Sequence, residues 1–283
     1  MFRASASSPT PAPAPAPSPS PAREATDRPT PASSIAQRLR AAGIHLSLSA
    51  LLAAAVLALV LLTWYPQPMP QLLGVGSILL IMLGVDVVLG PIFTFIVFDR
   101  RKKRLAWDLA TIAALQLAAL AYGLYTLHQG RPGFVVLVKD RFEIVSPADI
   151  LPPDLLAAKD NPFAQFHISG PRWVSIRMPD STSERQAIMM EALENGRDVQ
   201  HHPRLYADYD SQVADALTRS LPVSKLRTLN PSSGPEIDTA VAATGLSESA
   251  LRYLPMRGPA ADGAVLVSQA DGRVLKVLPL KPW

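Results

Sequence analysis

Residues 44–64 read IHLSLSALLAAAVLALVLLTW, residues 72–98 read LLGVGSILLIMLGVDVVLGPIFTFIVF, and residues 109–127 read LATIAALQLAALAYGLYTL. These three apolar stretches decide the fold. Each has about 20 residues or more, and a helix of that length rises far enough to cross a hydrocarbon core of roughly 30 Å. Asp86 is the one acidic or cationic residue within them. The sequence therefore predicts a membrane protein with three N-terminal transmembrane helices.

Basic residues in the short flanks predict the orientation. Arg38 and Arg40 precede the first stretch, and residues 65–71 (YPQPMPQ) after it carry no Lys or Arg. Between the second and third stretches lie five basic residues in a row, Arg100, Arg101, Lys102, Lys103 and Arg104. Because cytoplasmic flanks are enriched in Lys and Arg, the N-terminus and this basic loop are predicted to be cytoplasmic. Three crossings then place residues 128–283 outside the membrane.

The basic loop has two interpretations. It is most simply a determinant of topology that also contacts anionic lipid headgroups. Binding to a cytosolic partner is the alternative.

Charge and cysteine content exclude several classes of function. The chain has 283 residues and a net charge of +4, yet residues 128–283 hold 17 Lys and Arg against 18 Asp and Glu. The basic excess thus belongs to the membrane flanks, and no basic patch interleaved with aromatic residues indicates nucleic-acid binding. There is no cysteine, so disulfides, thiolate metal sites and a cysteine nucleophile are excluded.

Three regions follow from composition. Residues 1–34, mostly Pro, Ala and Ser, are predicted to be a disordered cytoplasmic tail, either dispensable or a ligand for a Pro-binding partner. Residues 35–127 form the three-helix transmembrane region, in which 35–43 are an amphipathic lead-in. Residues 128–283 form a domain long enough for its own core.

Residues 128–283 predict a small α+β extracytoplasmic domain. Strand-like segments occupy 134–139, 141–145 and 172–178, and a final hairpin joins 264–269 to 273–278 through Ala270-Asp271-Gly272. Helical patterns lie between the strands, over 146–159, 181–195, 209–220 and 235–244. Strands at both ends with helices between them are typical of the α+β class.

Asp86 is the most informative polar residue of the apolar stretches. A carboxylate near the bilayer centre costs about 2.5–3.5 kcal/mol on insertion scales, so it must be protonated, hydrogen-bonded or paired. It predicts a contact for a partner transmembrane helix, a proton-linked site, or a polar contact within the bundle. Gln116 in the third stretch is the predicted internal partner.

Small residues surround Asp86. Gly84, Gly90 and Pro91 belong to the segment Gly-Val-Asp-Val-Val-Leu-Gly-Pro. Small residues permit close helix approach, and a Gly-Pro pair can kink a helix and free backbone carbonyls. The pattern indicates either a groove for another helix or the ordinary packing of a three-helix bundle.

No motif supports catalysis or a bound cofactor. The sequence has no nucleotide-binding glycine pattern, nucleophile elbow or kinase signature. His201 and His202 are adjacent, and adjacent side chains do not converge on a metal as an i, i+4 pair does. They are predicted to be surface histidines, and neither a metal site nor a cofactor is expected.

A further set of motifs runs along the chain. They are Ala42–Leu46, Trp64-Tyr65-Pro66, Gly84–Pro91 with Thr94 and Ile96–Phe98, Leu115–Tyr125, Arg131-Pro132, Asp140-Arg141-Phe142, Gly170–Val174 and Pro282-Trp283. Together they resemble one known family, the type IV pilin accessory proteins of the TfpX/TfpZ kind. The resemblance covers about residues 35–283 and is most specific in the membrane part. The Pro/Ala/Ser tail departs from the family pattern.

The resemblance implies an inner-membrane protein of Gram-negative bacteria that assists type IV pilus biogenesis and is tied to a particular major pilin. The family has no recognised catalytic motif, so a non-enzymatic factor is expected, with the pilin and the pilus assembly machinery as partners. We hypothesise that the bundle binds the apolar N-terminal helix of the pilin while residues 128–283 touch its globular head. A membrane-anchored periplasmic sensor and a pilin-modifying factor are the alternatives.

Overall fold

The computed structural model describes residues 31–283, and side-chain surroundings from residue 35 onward. The predicted tail, 1–34, lies outside the described residues except for its last four, which begin the first helix.

Three helices are long and apolar enough to cross a membrane, by length and composition. Span one, Ile35–Trp64, consists of α1 (Pro31–Leu59) and a π-helical turn, Val60–Trp64. Span two, Gly76–Val97, consists of α3 (Gly76–Gly84), a π-helical turn (Val85–Leu89) and α4 (Gly90–Val97). Span three is α5, Leu105–Gln129. The predicted lead-in over 35–43 is thus continuous with span one.

Span two begins four residues later than its apolar pattern indicates. Leu72 ends the short helix α2 (Met69–Leu72), which follows the Pro-rich turn, and its side chain is fully buried. Gly74 then adopts a left-handed conformation with φ of +68°, and a Cβ there would lie 2.7 Å from the Ala260 Cβ. Leu72 is apolar because it packs in the core of the domain that follows the spans, so its hydropathy does not mark a membrane residue.

A mixed sheet forms the domain after span three, with helices between its strands. The strand order is β4-β3-β1-β2-β6-β7-β8, with β5 paired to β6. Strands β1 and β3 are parallel, as are β2 and β6, and the remaining pairs are antiparallel. The strands are β1 (Phe134–Val138), β2 (Arg141–Val145), β3 (Arg172–Ile176), β4 (Tyr206–Asp208), β5 (Leu221–Pro222), β6 (Leu251–Arg257), β7 (Gly263–Ser268) and β8 (Val274–Leu278).

Five further helices lie between the strands: α6 (Pro152–Ala157), α7 (Thr182–Asn195), α8 (Asp210–Arg219), α9 (Val223–Leu229) and α10 (Gly234–Thr244). The ends of α7 follow from local sequence. The Ser181 hydroxyl accepts a hydrogen bond from the Glu184 amide, and Gly196 ends the helix with φ of +69°.

The two faces of the sheet have separate cores. One face carries Val135, Leu137, Phe142, Leu254 and Met256, and it is covered by α8 and by Met69 and Leu72 of α2. The other face is covered by α7 near β1 and by α9 and α10 near β6 and β7. The turn between spans one and two is therefore part of the domain core, which places that turn and the domain at the same end of the bundle.

Strand β6 was not predicted, and Pro255 within it is atypical of a central strand. In the structure β6 pairs along its length with β7, and on its other side with β5 at Arg252 and Tyr253 and with β2 at Met256 and Arg257. Pro255 lies between these last two pairings and opposite Ala264 of β7, so this proline stands within a central strand.

Candidate functional site: a groove between the apolar spans

All three spans line a groove of about 490 Å³. Its floor is buried, since Asp86 and Thr94 of span two are 6% and 3% exposed. Its walls are apolar and open. The wall residues are Ala41, Ile44, His45, Leu48, Ser49 and Leu52 from span one and Leu109, Ala113, Gln116, Leu117 and Leu120 from span three, with Phe98 at the end of span two.

Helical periodicity places the lining residues of each span on the same side of its helix. On span one the lining residues recur three or four positions apart from Ala41 to Leu52, and on span three from Leu109 to Leu120. Each set is therefore one face of its helix. Span two contributes Asp86 from its π-helical turn, a feature that often occurs at functional sites.

The main chain at Asp86 needs an outside donor. In a π-helical turn each N–H bonds to the carbonyl five residues earlier, and Pro91 has no N–H to give to the carbonyl of Asp86. The Gln116 amide Nε2 of span three donates to that carbonyl oxygen at 3.1 Å. The structure thus brings the predicted pair together, but through the backbone of Asp86 rather than its carboxyl group.

Gly90 makes this approach sterically feasible. A Cβ built at Gly90 would lie 2.8 Å from the Gln116 Cδ, so a side chain there would displace the amide. Pro91 is buried beside it. At Gly84, by contrast, a Cβ would meet nothing within 4 Å, so packing among the described residues does not require glycine there.

The Asp86 carboxyl group is left with an unused atom. Its Oδ1 is buried and has no hydrogen-bond partner among the described residues. An unsatisfied buried polar atom costs about 1–3 kcal/mol, and more if it is charged. Asp86 also lines the groove, so its carboxyl group places one acceptor, or one acidic proton, in an otherwise mostly apolar lining.

A second polar pair lies nearer the basic-loop end of the groove. The His45 Nδ1 and the Thr94 hydroxyl are 2.5 Å apart and join span one to span two. Sequence reasoning did not weigh His45 or Thr94 as site residues. His45 and Ser49 are polar, four residues apart in an apolar helix, and that spacing was the available signal.

The basic loop lies at the other end of the bundle from the sheet domain. Span two starts beside the domain at Gly76 and rises about 33 Å over its 22 residues before the loop begins. The loop side chains from Arg100 to Arg104 are exposed, and the Lys102 Nζ lies 3.5 Å from a carboxylate oxygen of Asp108. The loop is therefore available to solvent or to headgroups.

In the sheet domain the prediction of two surface histidines is wrong for His202, which is 4% exposed. Its Nδ1 lies 3.4 Å from Asp154 and its Nε2 lies 3.5 Å from Glu191. Arg197 bridges the same two carboxylates at 2.5 and 2.7 Å. Two 3₁₀ turns around His202 fold this segment against α6 and α7, a long-range contact that local sequence does not encode.

The contacts of Arg197 with Asp154 and Glu191 are structural ion pairs. Within residues 31–283 no group of three or more His, Asp or Glu residues is arranged to hold a metal ion.

Comparison with known proteins places the chain in a family. A family model described as "Fimbrial assembly protein FimB" matches residues 33–74. The "Fimbrial assembly protein, serogroup I" of Dichelobacter nodosus is 30% identical over 217 residues, which are 76% of this chain and 84% of that protein. The chain belongs to the fimbrial assembly protein family. The serogroup E1 protein of the same organism has the same identity and coverage.

A third family member is similar over a shorter range. The Dichelobacter nodosus protein named for serogroups C1 and C2 is 36% identical over 115 residues, which are 40% of this chain and 88% of that protein. No solved structure matches the chain.

The family similarity includes the groove and extends beyond it. The family model covers span one, with its face of the groove, and the turn that carries Leu72 into the domain core. An alignment of 217 residues is longer than the whole segment up to the end of span three, so the two longer matches of this fimbrial assembly protein also include part of the sheet domain.

Proposed function

We propose that this fimbrial assembly protein is an inner-membrane accessory factor of type IV pilus biogenesis that holds its cognate major pilin without catalysing a reaction. The three spans cross the inner membrane, with the N-terminus and the basic loop in the cytoplasm and the sheet domain in the periplasm. The transmembrane helix of the pilin occupies the groove between the spans.

Two independent features support this topology. Basic residues concentrate at one end of the bundle, as the positive-inside rule expects for the cytoplasmic side. The Lys- and Arg-free turn, 65–71, leads into α2, whose Leu72 packs in the core of the sheet domain at the other end. An odd number of crossings is consistent with both.

The Asp86 carboxyl group, which lines the groove and has one oxygen without a partner among the described residues, carries the proposal for the groove. Asp86 lies ten residues into span two, about 15 Å from its periplasmic end and close to mid-bilayer. Lipid tails offer no hydrogen-bond donor at that depth, whereas a partner helix with a polar or amine group does. The aliphatic walls suit the apolar remainder of such a helix.

The pilin is the partner that fits both the family and the groove. The relatives are named for fimbrial assembly, and the resemblance to pilin accessory proteins implies a pilin subunit whose apolar helix waits in the inner membrane. A helix in the groove would lead toward the sheet domain at its periplasmic end. The domain is then positioned to touch the pilin head.

Site-specific photocrosslinking in native membranes tests the proposal. Leu117 lines the groove and is 58% exposed, whereas Leu115 is 68% exposed and does not line it. Two residues apart on a helix point to different faces, so the two leucines form a matched pair. A photoreactive residue at Leu117 should give an adduct with the major pilin, and one at Leu115 should give little.

Two outcomes would refute the assignment. Equal pilin adducts at Leu117 and Leu115 would mean that the groove has no special role. An adduct at Leu117 with a component of the assembly machinery, and none with pilin, would move the function to that machinery.

A further inference from the structure

The loop formed by residues 165–170 is attached to the ends of two different spans. At its start, the Phe166 ring packs against the Phe134 ring with 4.8 Å between centroids. Phe134 opens β1 a few residues after span three, and the Arg131 guanidinium lies 5.6 Å from the Phe166 ring centre. This end of the loop is therefore held beside the end of span three.

The other end of the loop is held beside span one. The Gly170 amide donates a hydrogen bond to the Thr63 carbonyl at 2.7 Å, within the last turn of span one. Gly170 has φ of +64°, a conformation that glycine adopts without strain. The loop thus bridges the ends of spans one and three at the level where both leave the apolar region.

Ile168 is the residue midway between the two attachments, and its side chain is 91% exposed. Two residues extend by at most about 7 Å, so Ile168 stays close to the depth of Thr63 and Phe166. Moving a fully exposed aliphatic side chain from water into an apolar phase is favourable. At this depth the apolar phase within reach is the lipid of the bilayer.

We propose that loop 165–170 is a membrane anchor whose Ile168 side chain inserts into phospholipid at the headgroup–acyl boundary of the periplasmic leaflet. The inference rests on the proposed membrane crossing of the three spans. A single apolar side chain adds little to membrane retention, since three spans already provide it. The Ile168 side chain instead fixes the tilt of the sheet domain above the bundle. Its insertion attaches the domain to the membrane at a point beside the two spans that the loop bridges.

The absence of cysteine makes a direct test simple, because each variant carries one label. We suggest Leu62→Cys, Ile168→Cys and Leu193→Cys, each labelled with a polarity-sensitive fluorophore in the full chain. The protein is placed in nanodiscs of phosphatidylethanolamine and phosphatidylglycerol, with and without nitroxide-labelled lipid. All three side chains are strongly exposed, at 79%, 91% and 75%, so none of the substitutions removes a core contact.

The three positions separate the outcomes. Leu62 neighbours Thr63 on span one, and Leu193 lines a cleft with Val138 and Lys139 at the far end of β1 from span three. Nitroxide lipid should quench the labels at positions 62 and 168 several-fold more than the label at position 193.

Quenching at position 62 but not at 168 would overturn the anchor while leaving the membrane crossing intact, and would point to a protein partner on Ile168. Lack of quenching at position 62 would instead overturn the proposed membrane crossing, and the anchor with it.

Discussion

Replacing Asp86 with leucine should have opposite effects on the protein alone and on its complex with pilin. In the protein alone, Asp86 is buried in span two with an unpartnered Oδ1. A central aspartate costs about 2.5–3.5 kcal/mol on insertion scales, whereas leucine is favourable by about 0.3–0.6 kcal/mol. Asp86→Leu should therefore make the isolated bundle more stable.

The complex should become weaker in the same variant. An interhelical hydrogen bond in a membrane contributes about 0.6 kcal/mol on average and up to about 1.7 kcal/mol. Losing one bond from the partner helix to the Asp86 carboxyl group would weaken pilin association by about 3- to 18-fold. Asp86→Asn keeps the size and one acceptor oxygen, so its loss should be smaller.

Two measurements on the same variants check these expectations. Resistance of the purified protein to thermal unfolding in nanodiscs reports the first effect. The yield of the pilin adduct from a photoreactive group at Leu117, with surface piliation beside it, reports the second. A variant that is more stable yet recovers less pilin would identify Asp86 as a binding residue.

Either of two results would refute the reasoning. If Asp86→Leu left the adduct and piliation unchanged, the carboxyl group would be a polar contact within the bundle. If it lowered the stability of the isolated protein by several kcal/mol, the carboxyl group would have an internal partner, contrary to the geometry described above.

Three further substitutions test the packing around the groove and in the domain. Gly90→Ala should displace the Gln116 amide and destabilise the bundle by about 0.6–1.7 kcal/mol, measured by thermal unfolding. Gly84→Ala is the neutral control, because a Cβ at Gly84 meets nothing within 4 Å. Leu72→Ala should destabilise the protein by about 2–5 kcal/mol in the same assay because the side chain is fully buried in the domain core. Burial lowers the pKa of His201 below its ordinary value of about 6.5, so on acidification the unfolded chain binds the proton before the folded protein does. The free energy of unfolding should therefore fall as the pH drops below that value. In His201→Gln, unfolding measured as a function of pH should show a smaller fall.

The membrane region and most domain elements could be predicted because their signals are local. Span length, the basic loop and the ends of α7 at Ser181 and Gly196 depend on residues that are neighbours in sequence. Strand β6 could not be predicted, since Pro255 is atypical of a central strand and the pairings with β2 and β5 join segments distant in sequence. Leu72 was predicted to belong to the second apolar stretch, whereas it packs in the core of the sheet domain. Hydropathy does not distinguish a residue that faces lipid from one in a protein core.

The residues that line the groove could not be predicted from local sequence, for a related reason. Whether Asp86, His45 and Thr94 face the same groove depends on how each span is rotated about its axis. That rotation is set by packing between the helices. The bond from Gln116 to the Asp86 carbonyl depends on a π-helical turn, which shifts the acceptor by one residue relative to an α-helix. The pairing of Asp86 with Gln116 could be proposed from polarity alone, but the donor and acceptor atoms of their hydrogen bond could not be predicted.

The contacts at the two ends of the bundle suggest how a partner helix enters. At the domain end the Tyr65 hydroxyl donates to the Leu127 carbonyl at 2.7 Å, Gly170 bonds to Thr63, and α2 is buried in the domain core. At the basic-loop end, the hydrogen bond between His45 and Thr94 joins span one to span two, and the groove lies alongside that bond. A helix moving laterally through the bilayer can therefore reach Asp86 from the groove side without breaking the contacts that hold the domain. If the partner is a pilin, as proposed above, the periplasmic end of its helix would then meet the sheet domain. Such a pilin would have to supply a donor near mid-bilayer and fit the surface of the domain above it.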